Sequence, residues 1–336
     1  MRPDLERMKH ARWPLLICLL GLPAIGLISA FALGRSAQDE ALAALGRLDL
    51  RLAGGLVAVS ASIMTVRSLR YWLLARAAGI DVPLRSAALY YVGGYSLQAT
   101  PGKVGAAGLR IWLLRTGAGA RCHRAAAVWY AESLLDLVSL SSIACLGVAV
   151  LWPALGLVAT LGFLLAVFVG FRCLGRLHQL LRLAYRLTGV WRTGFAWGSK
   201  SLRHLAALPP GALSAALGLG LLVRAAEVSA LCWAVNGLGA DLGLGSAAAL
   251  HAAGTLAGYA SLMPGGVGGA EAALVGLQVA LGISPALALA ATLLFRIAVF
   301  WSLVGIGSAV LPAALLHARR ALARIPARRD LVARAS

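Results

Sequence analysis

Six stretches of the chain stay apolar for about 20 residues, the length a helix needs to cross a hydrocarbon core of roughly 30 Å. They predict spanning helices at 13–33, 52–74, 125–151, 154–171, 213–236 and 285–311. Two further apolar stretches, 86–115 and 246–283, are each interrupted midway. The interruptions are Thr100-Pro101-Gly102-Lys103-Val104-Gly105 and Met263-Pro264-Gly265-Gly266-Val267-Gly268-Gly269. Proline removes a backbone donor and glycine weakens a helix, so each cluster reads as a turn between two half-helices. Each half would be about 20–25 Å long, short of a full span. The pattern predicts an all-α polytopic membrane protein: six full spans plus two broken hairpins, either re-entrant or short double-spanning.

The hairpins share a register. Val66-Arg67, Gly79-Ile80-Asp81, Ser86-Ala87-Ala88, Gly94-Tyr95 and Pro101-Gly102-Lys103-Val104-Gly105 follow one another in the first half. Val223-Arg224, Gly239-Ala240-Asp241, Ser246-Ala247-Ala248, Gly258-Tyr259 and Pro264-Gly265-Gly266-Val267-Gly268 follow in the second. This divides the chain into an anchor segment (1–51), a first repeat (52–171), a basic linker (172–211), a second repeat (212–311) and a basic tail (312–336). Paired Gly/Pro-interrupted segments in corresponding positions point to a transport site between repeats.

Charge turns the pattern into a topology. The 336 residues include 31 Lys plus Arg against 12 Asp plus Glu, a formal charge of +19, yet 60% are hydrophobic and only 13% charged. So basic a chain could suggest nucleic-acid binding, but its basic residues fall between apolar runs and sort by membrane side. Arg2, Arg7, Lys9 and Arg12 place the N-terminus in the cytoplasm; seven basic residues and no acid place 172–203 there; Arg319, Arg320 and Arg324 place the tail there. The stretch 236–245, with Asp241 alone, lies outside. The span holding Arg67 then runs inward, bringing Arg67, Arg70, Arg76 and Arg85 toward the cytoplasm, and that holding Arg224 runs outward, which makes the repeats inverted. Arg224 and Arg296 are the cations left inside the membrane. The aromatic and Leu-rich linker reads as an amphipathic segment on an anionic membrane surface.

The turn Thr100–Gly105, Glu132-x-x-x-Asp136, Pro264-Gly-Gly-Val-Gly-Gly-Ala-Glu271, Leu281-Gly-Ile-Ser284 and Leu293-Leu-Phe-Arg296 together resemble the lysylphosphatidylglycerol synthase transmembrane (flippase-like) family. The first half departs from it: Ala106 stands where family members usually carry Glu, Arg110 comes slightly late, and Ser133 replaces a basic residue. Some members carry a fused soluble transferase domain; the short tail predicts none here. The resemblance implies translocation or export of a lipid or lipid-linked intermediate across a bacterial cytoplasmic membrane, without enzymatic activity. An accessory subunit of a membrane lipid-modifying or glycan-assembly enzyme is the other reading.

Candidate binding residues follow from the cost of charge in hydrocarbon, roughly 2.5–3.5 kcal/mol even on insertion scales. Half-helices restarting after Pro101 and Pro264 present free N–H groups that favour a phosphate headgroup. Lys103 and Arg110 either join that site or extend to the interface. Glu271 either caps its helix or binds a cation. Glu132 and Asp136 share a helix face and repel unless paired. Arg224 has Glu227 three residues on, while Arg296 needs a partner from another helix: Glu271, Glu132 or Asp136. Gly102, Gly105, Gly265, Gly266 and Gly268 shape the turns. The turns lack the Walker Gly-Lys-Ser/Thr, no His/Glu pair has metal spacing, and the five cysteines are scattered, so neither metal nor cofactor is expected.

Overall fold

The computed structural model describes residues 49–163 and 192–324, with positions 39, 40, 43, 45, 46, 165 and 169. Among these residues the chain is helical and has no strand. The predicted 13–33 span and most of the linker lie outside them.

Helix α1 (Leu50–Ala77) starts where the Asp49 side chain accepts from the Arg51 N–H at 3.1 Å. The first hairpin follows as α2 (Leu84–Tyr95), a tight turn at Pro101–Lys103, and α3 (Val104–Ala118). After α4 (Cys122–Leu151), α5 (Pro153–Phe163) and α6 (Arg192–Ala206), Pro209-Pro210 opens α7 (Pro210–Asn236). The second hairpin is α8 (Leu244–Ala260), a turn at Pro264–Gly266, and α9 (Gly269–Ala280). Ser284 caps α10 (Pro285–Arg296), which continues through a π-helical turn, Ile297–Trp301, into α11 (Ser302–Arg324). Within that turn the Ala298 carbonyl accepts from the hydroxyls of Ser302 and, at 2.7 Å, of Ser60 on α1.

Among the described residues, four helices are long and apolar enough to cross a membrane: α1, α4, α7 and the continuous Pro285–Ala323. They account for four of the six predicted spans. The described part of 154–171 is covered by the 11-residue α5 together with positions 165 and 169. Hairpin halves α2 and α9 have 12 residues each, about 18 Å of helix and shorter than the expected 20–25 Å, while α3 and α8 have 15 and 17 residues. Large apolar side chains such as Val57, Leu146, Val150, Leu222 and Trp233 face outward, which suits a protein whose solvent is lipid.

The packing is reciprocal. α1 and α7 cross antiparallel, with Gly55 against Trp233 near one end, Arg67 bonded to Glu227, and Arg70 against Gly220 near the other. The first hairpin lays α2 antiparallel on α11, so that Gly93 meets Leu311 and Ala314 while Ser96 meets Gly307. The second lays α8 antiparallel on α4, so that Ala249 meets Gly147 and Gly245 meets Val150. Each hairpin thus packs on the long helix that follows the other hairpin, and the two turns touch.

Candidate functional site

The two turns open with one backbone shape and then diverge, the helix restarting at Val104 in the first and at Gly269 in the second. After each proline come two consecutive residues of positive φ: Gly102 (60°) and Lys103 (58°) in the first, Gly265 (66°) and Gly266 (69°) in the second. Glycine takes this conformation freely. Lys103 takes it at the cost of a Cβ contact, roughly 1–2 kcal/mol. In the first turn the Thr100 hydroxyl accepts from the Gly105 N–H at 2.9 Å, and a Cβ on Gly105 would lie 2.7 Å from the Thr100 methyl.

The second turn is pinned by Glu271. Its Oε2 accepts from the Gly268 N–H at 2.8 Å and its Oε1 from Arg296 Nε at 2.7 Å; Arg296 Nη2 also donates to the Gly265 carbonyl at 2.6 Å. Both sequence readings of Glu271 are therefore realised, as helix cap and as ion-pair partner. The first hairpin reverses the charges. There the half-helix carries Arg110 and the following long helix carries Glu132, joined at 3.2 Å. Arg110 also donates to Gln98 at 3.4 Å and stacks 3.9 Å from the centre of the Tyr91 ring. A Cβ on Gly94 would strike the Arg110 side chain at 2.4 Å.

Beneath the turns is a cavity of about 400 Å³. Lys103, Arg110, Glu132, Asp136, Arg224 and Arg296 all line it, with Pro264's neighbours Gly265 and Gly266 and with Gly102 at the tips. Glu271 sits just behind, joined to Arg296. Arg70, fully buried, stands between Glu132 and Asp136 and donates to both, at 3.4 and 2.7 Å. That bridge removes the repulsion expected between these two acids. Arg224 bonds Glu227 Oε2 at 2.7 Å and lies 3.9 Å from Asp136; His251 Nε2 lies 3.2 Å from the same Oε2, and Arg67 bonds Glu227 Oε1. Lys103 donates to the Tyr259 hydroxyl at 2.8 Å, across the two hairpins.

The structure thus gathers all seven charged residues selected from sequence. It adds Arg67, Arg70, Glu227 and His251. Arg67 and Arg70 had been assigned to the cytoplasmic side; both are buried, because α1 continues past them to Ala77 and Glu227 and Asp136 bind them. The repeat itself carried the signal for Arg67, whose mate Arg224 was selected. Among the described residues no group of three or more His, Cys, Asp or Glu could hold a metal ion.

These features define a class: a multi-pass membrane protein with paired broken hairpins meeting over a charge-lined cavity. The profile of the lysylphosphatidylglycerol synthase transmembrane region matches residues 15–307, and the chain belongs to that family. No curated protein matches the chain.

Proposed function

We propose that the protein moves a lipid or lipid-linked intermediate between the leaflets of a bacterial cytoplasmic membrane, as a translocator and not as an enzyme. The carrying observation is the meeting of the two hairpin turns over the charged cavity. Half-helices too short to span, ending at a shared polar site, suit a headgroup held near the midplane while its chains stay in lipid. The antiparallel crossing of α1 and α7 supports reading the halves as inverted repeats, with both termini cytoplasmic. Alternating access then consists of one half rocking against the other around the bound headgroup.

The test is a leaflet-resolved assay with purified protein in phosphatidylcholine vesicles, using fluorescent lipids bleached from outside by an impermeant reductant. Inward-facing probe should become accessible faster than in empty vesicles for at least one headgroup. Rates no faster than in empty vesicles for anionic, zwitterionic and aminoacylated probes alike would overturn the proposal.

A further inference from the structure

The charge inside the cavity does not cancel. Five cationic side chains line it (Arg67, Lys103, Arg110, Arg224 and Arg296) against three carboxylates, Glu132, Asp136 and Glu227. Arg70 and Glu271 behind them add one of each sign. Two positive charges remain in excess among the described residues.

The surplus has a location. Each of the four carboxylates accepts from at least one arginine. Only Asp136 Oδ2 takes no bond among the described residues, and Arg70 already holds the other oxygen of that carboxylate. Lys103, by contrast, has no carboxylate within ion-pair distance among the described residues; its ammonium holds only the Tyr259 hydroxyl and lies 4.7 Å from the centre of that ring. The nearly buried Arg67, Arg110 and Arg224 also keep unpartnered Nε–H groups. Lys103 further occupies a left-handed backbone position that its repeat mate, Gly266, fills with glycine. Conformation alone would favour glycine there, so the side chain is what is retained.

From this geometry we infer that the cavity takes a doubly charged phosphate headgroup, a phosphomonoester or diphosphate, with Lys103 as its principal contact, and that it excludes cationic aminoacylated headgroups. A phosphomonoester carries about −1.5 to −2 at neutral pH, which matches the excess, whereas a phosphodiester bearing a lysyl group brings net positive charge. The inference rests on the proposed translocation only for placing this cavity among lipids.

Equilibrium binding to the full-length protein in neutral detergent micelles tests it, with radiolabelled short-chain phosphatidate as the probe and lysyl-phosphatidylglycerol or inorganic phosphate as competitors. Phosphatidate should bind at least 10-fold more tightly than lysyl-phosphatidylglycerol. Lys103→Gly should lower phosphatidate affinity at least 10-fold while melting at the same or a higher temperature than the parent, and Lys103→Arg should retain most of the affinity. Equal or tighter binding of the lysyl lipid overturns the inference, as does full affinity in Lys103→Gly. Inorganic phosphate competing as well as phosphatidate would assign the site to free phosphate rather than lipid and overturn the headgroup claim. Phosphatidate binding that depends on Lys103, with no acceleration in the vesicle assay, would overturn translocation and leave the headgroup preference standing.

Discussion

At the residue scale, the site is built from one bridge made twice with opposite sign. Glu271 on α9 reaches Arg296, and Arg110 on α3 reaches Glu132. The sequence nominated all four, because a charge inside an apolar run needs a partner. It left the pairing of Arg296 open among three acids, since the loop lengths around it do not fix which helix faces it. The Glu271–Arg296 pair is buried and shares its lone pairs and protons with the Gly268 N–H and the Gly265 carbonyl. Removing one partner leaves an uncompensated buried charge. Glu271→Ala and Arg296→Met should each lower unfolding free energy by about 3–5 kcal/mol, read by denaturant titration in detergent. The double variant should lose less than the sum by about 1–3 kcal/mol. Glu271→Gln, which keeps an acceptor for Gly268, should lose less than Glu271→Ala. Strict additivity would show that the two side chains are not coupled.

At the element scale, the broken hairpins were legible because proline and glycine interrupt an apolar run, and the turns fall where those residues stand. The π-helical turn after Arg296 was not legible: Ile297–Trp301 is as apolar as its neighbours, and the Ala298 carbonyl within it is bonded by Ser60 from a distant helix as well as by Ser302. Nor could sequence tell which glycines mark helix crossings. Gly305 and Gly307 lie two residues apart on α11, yet only Gly307 abuts α2. A Cβ there would lie 2.7 Å from the Ser96 amide nitrogen and 2.8 Å from the Val92 carbonyl, while one on Gly305 meets nothing within 4 Å. Gly147 makes the matching crossing of α4 on α8, its Cβ position 2.4 Å from the Ala249 amide nitrogen. Backbone cannot swing aside as a side chain can. Gly147→Ala and Gly307→Ala should therefore each destabilise by about 1–3 kcal/mol, whereas Gly305→Ala should stabilise by about 0.5–1 kcal/mol through the helix propensity gained. Thermal unfolding of the three variants in one detergent separates these signs.

At the scale of the whole molecule, the +19 charge has two components that sequence could only partly separate. Most of it lies between apolar runs, where the positive-inside rule reads it as an orientation signal. A smaller share is drawn inside, and Arg67 and Arg70 were misassigned because a cation near a helix end looks like an orientation signal until a buried acid on another helix is seen to bind it. The fold now makes the orientation testable with three labels. Lys200 precedes α7, Asp241 follows it, and Asp81 follows α1; all three are exposed. Because α1 and α7 run antiparallel, the end of α1 lies beside the start of α7, so Asp81 should share a membrane side with Lys200 and Asp241 should lie opposite. In a variant with Cys18, Cys122, Cys145, Cys173 and Cys232 replaced, single substitutions Lys200→Cys, Asp81→Cys and Asp241→Cys give each site its own thiol. An impermeant maleimide applied to intact cells should reach only residue 241, and applied to inverted membrane vesicles should reach only residues 81 and 200. Labelling of 200 and 241 from one side would mean that α7 does not cross. Labelling of 81 together with 241 would mean that α1 and α7 cross in the same direction, and the two-sided access on which translocation depends would be lost.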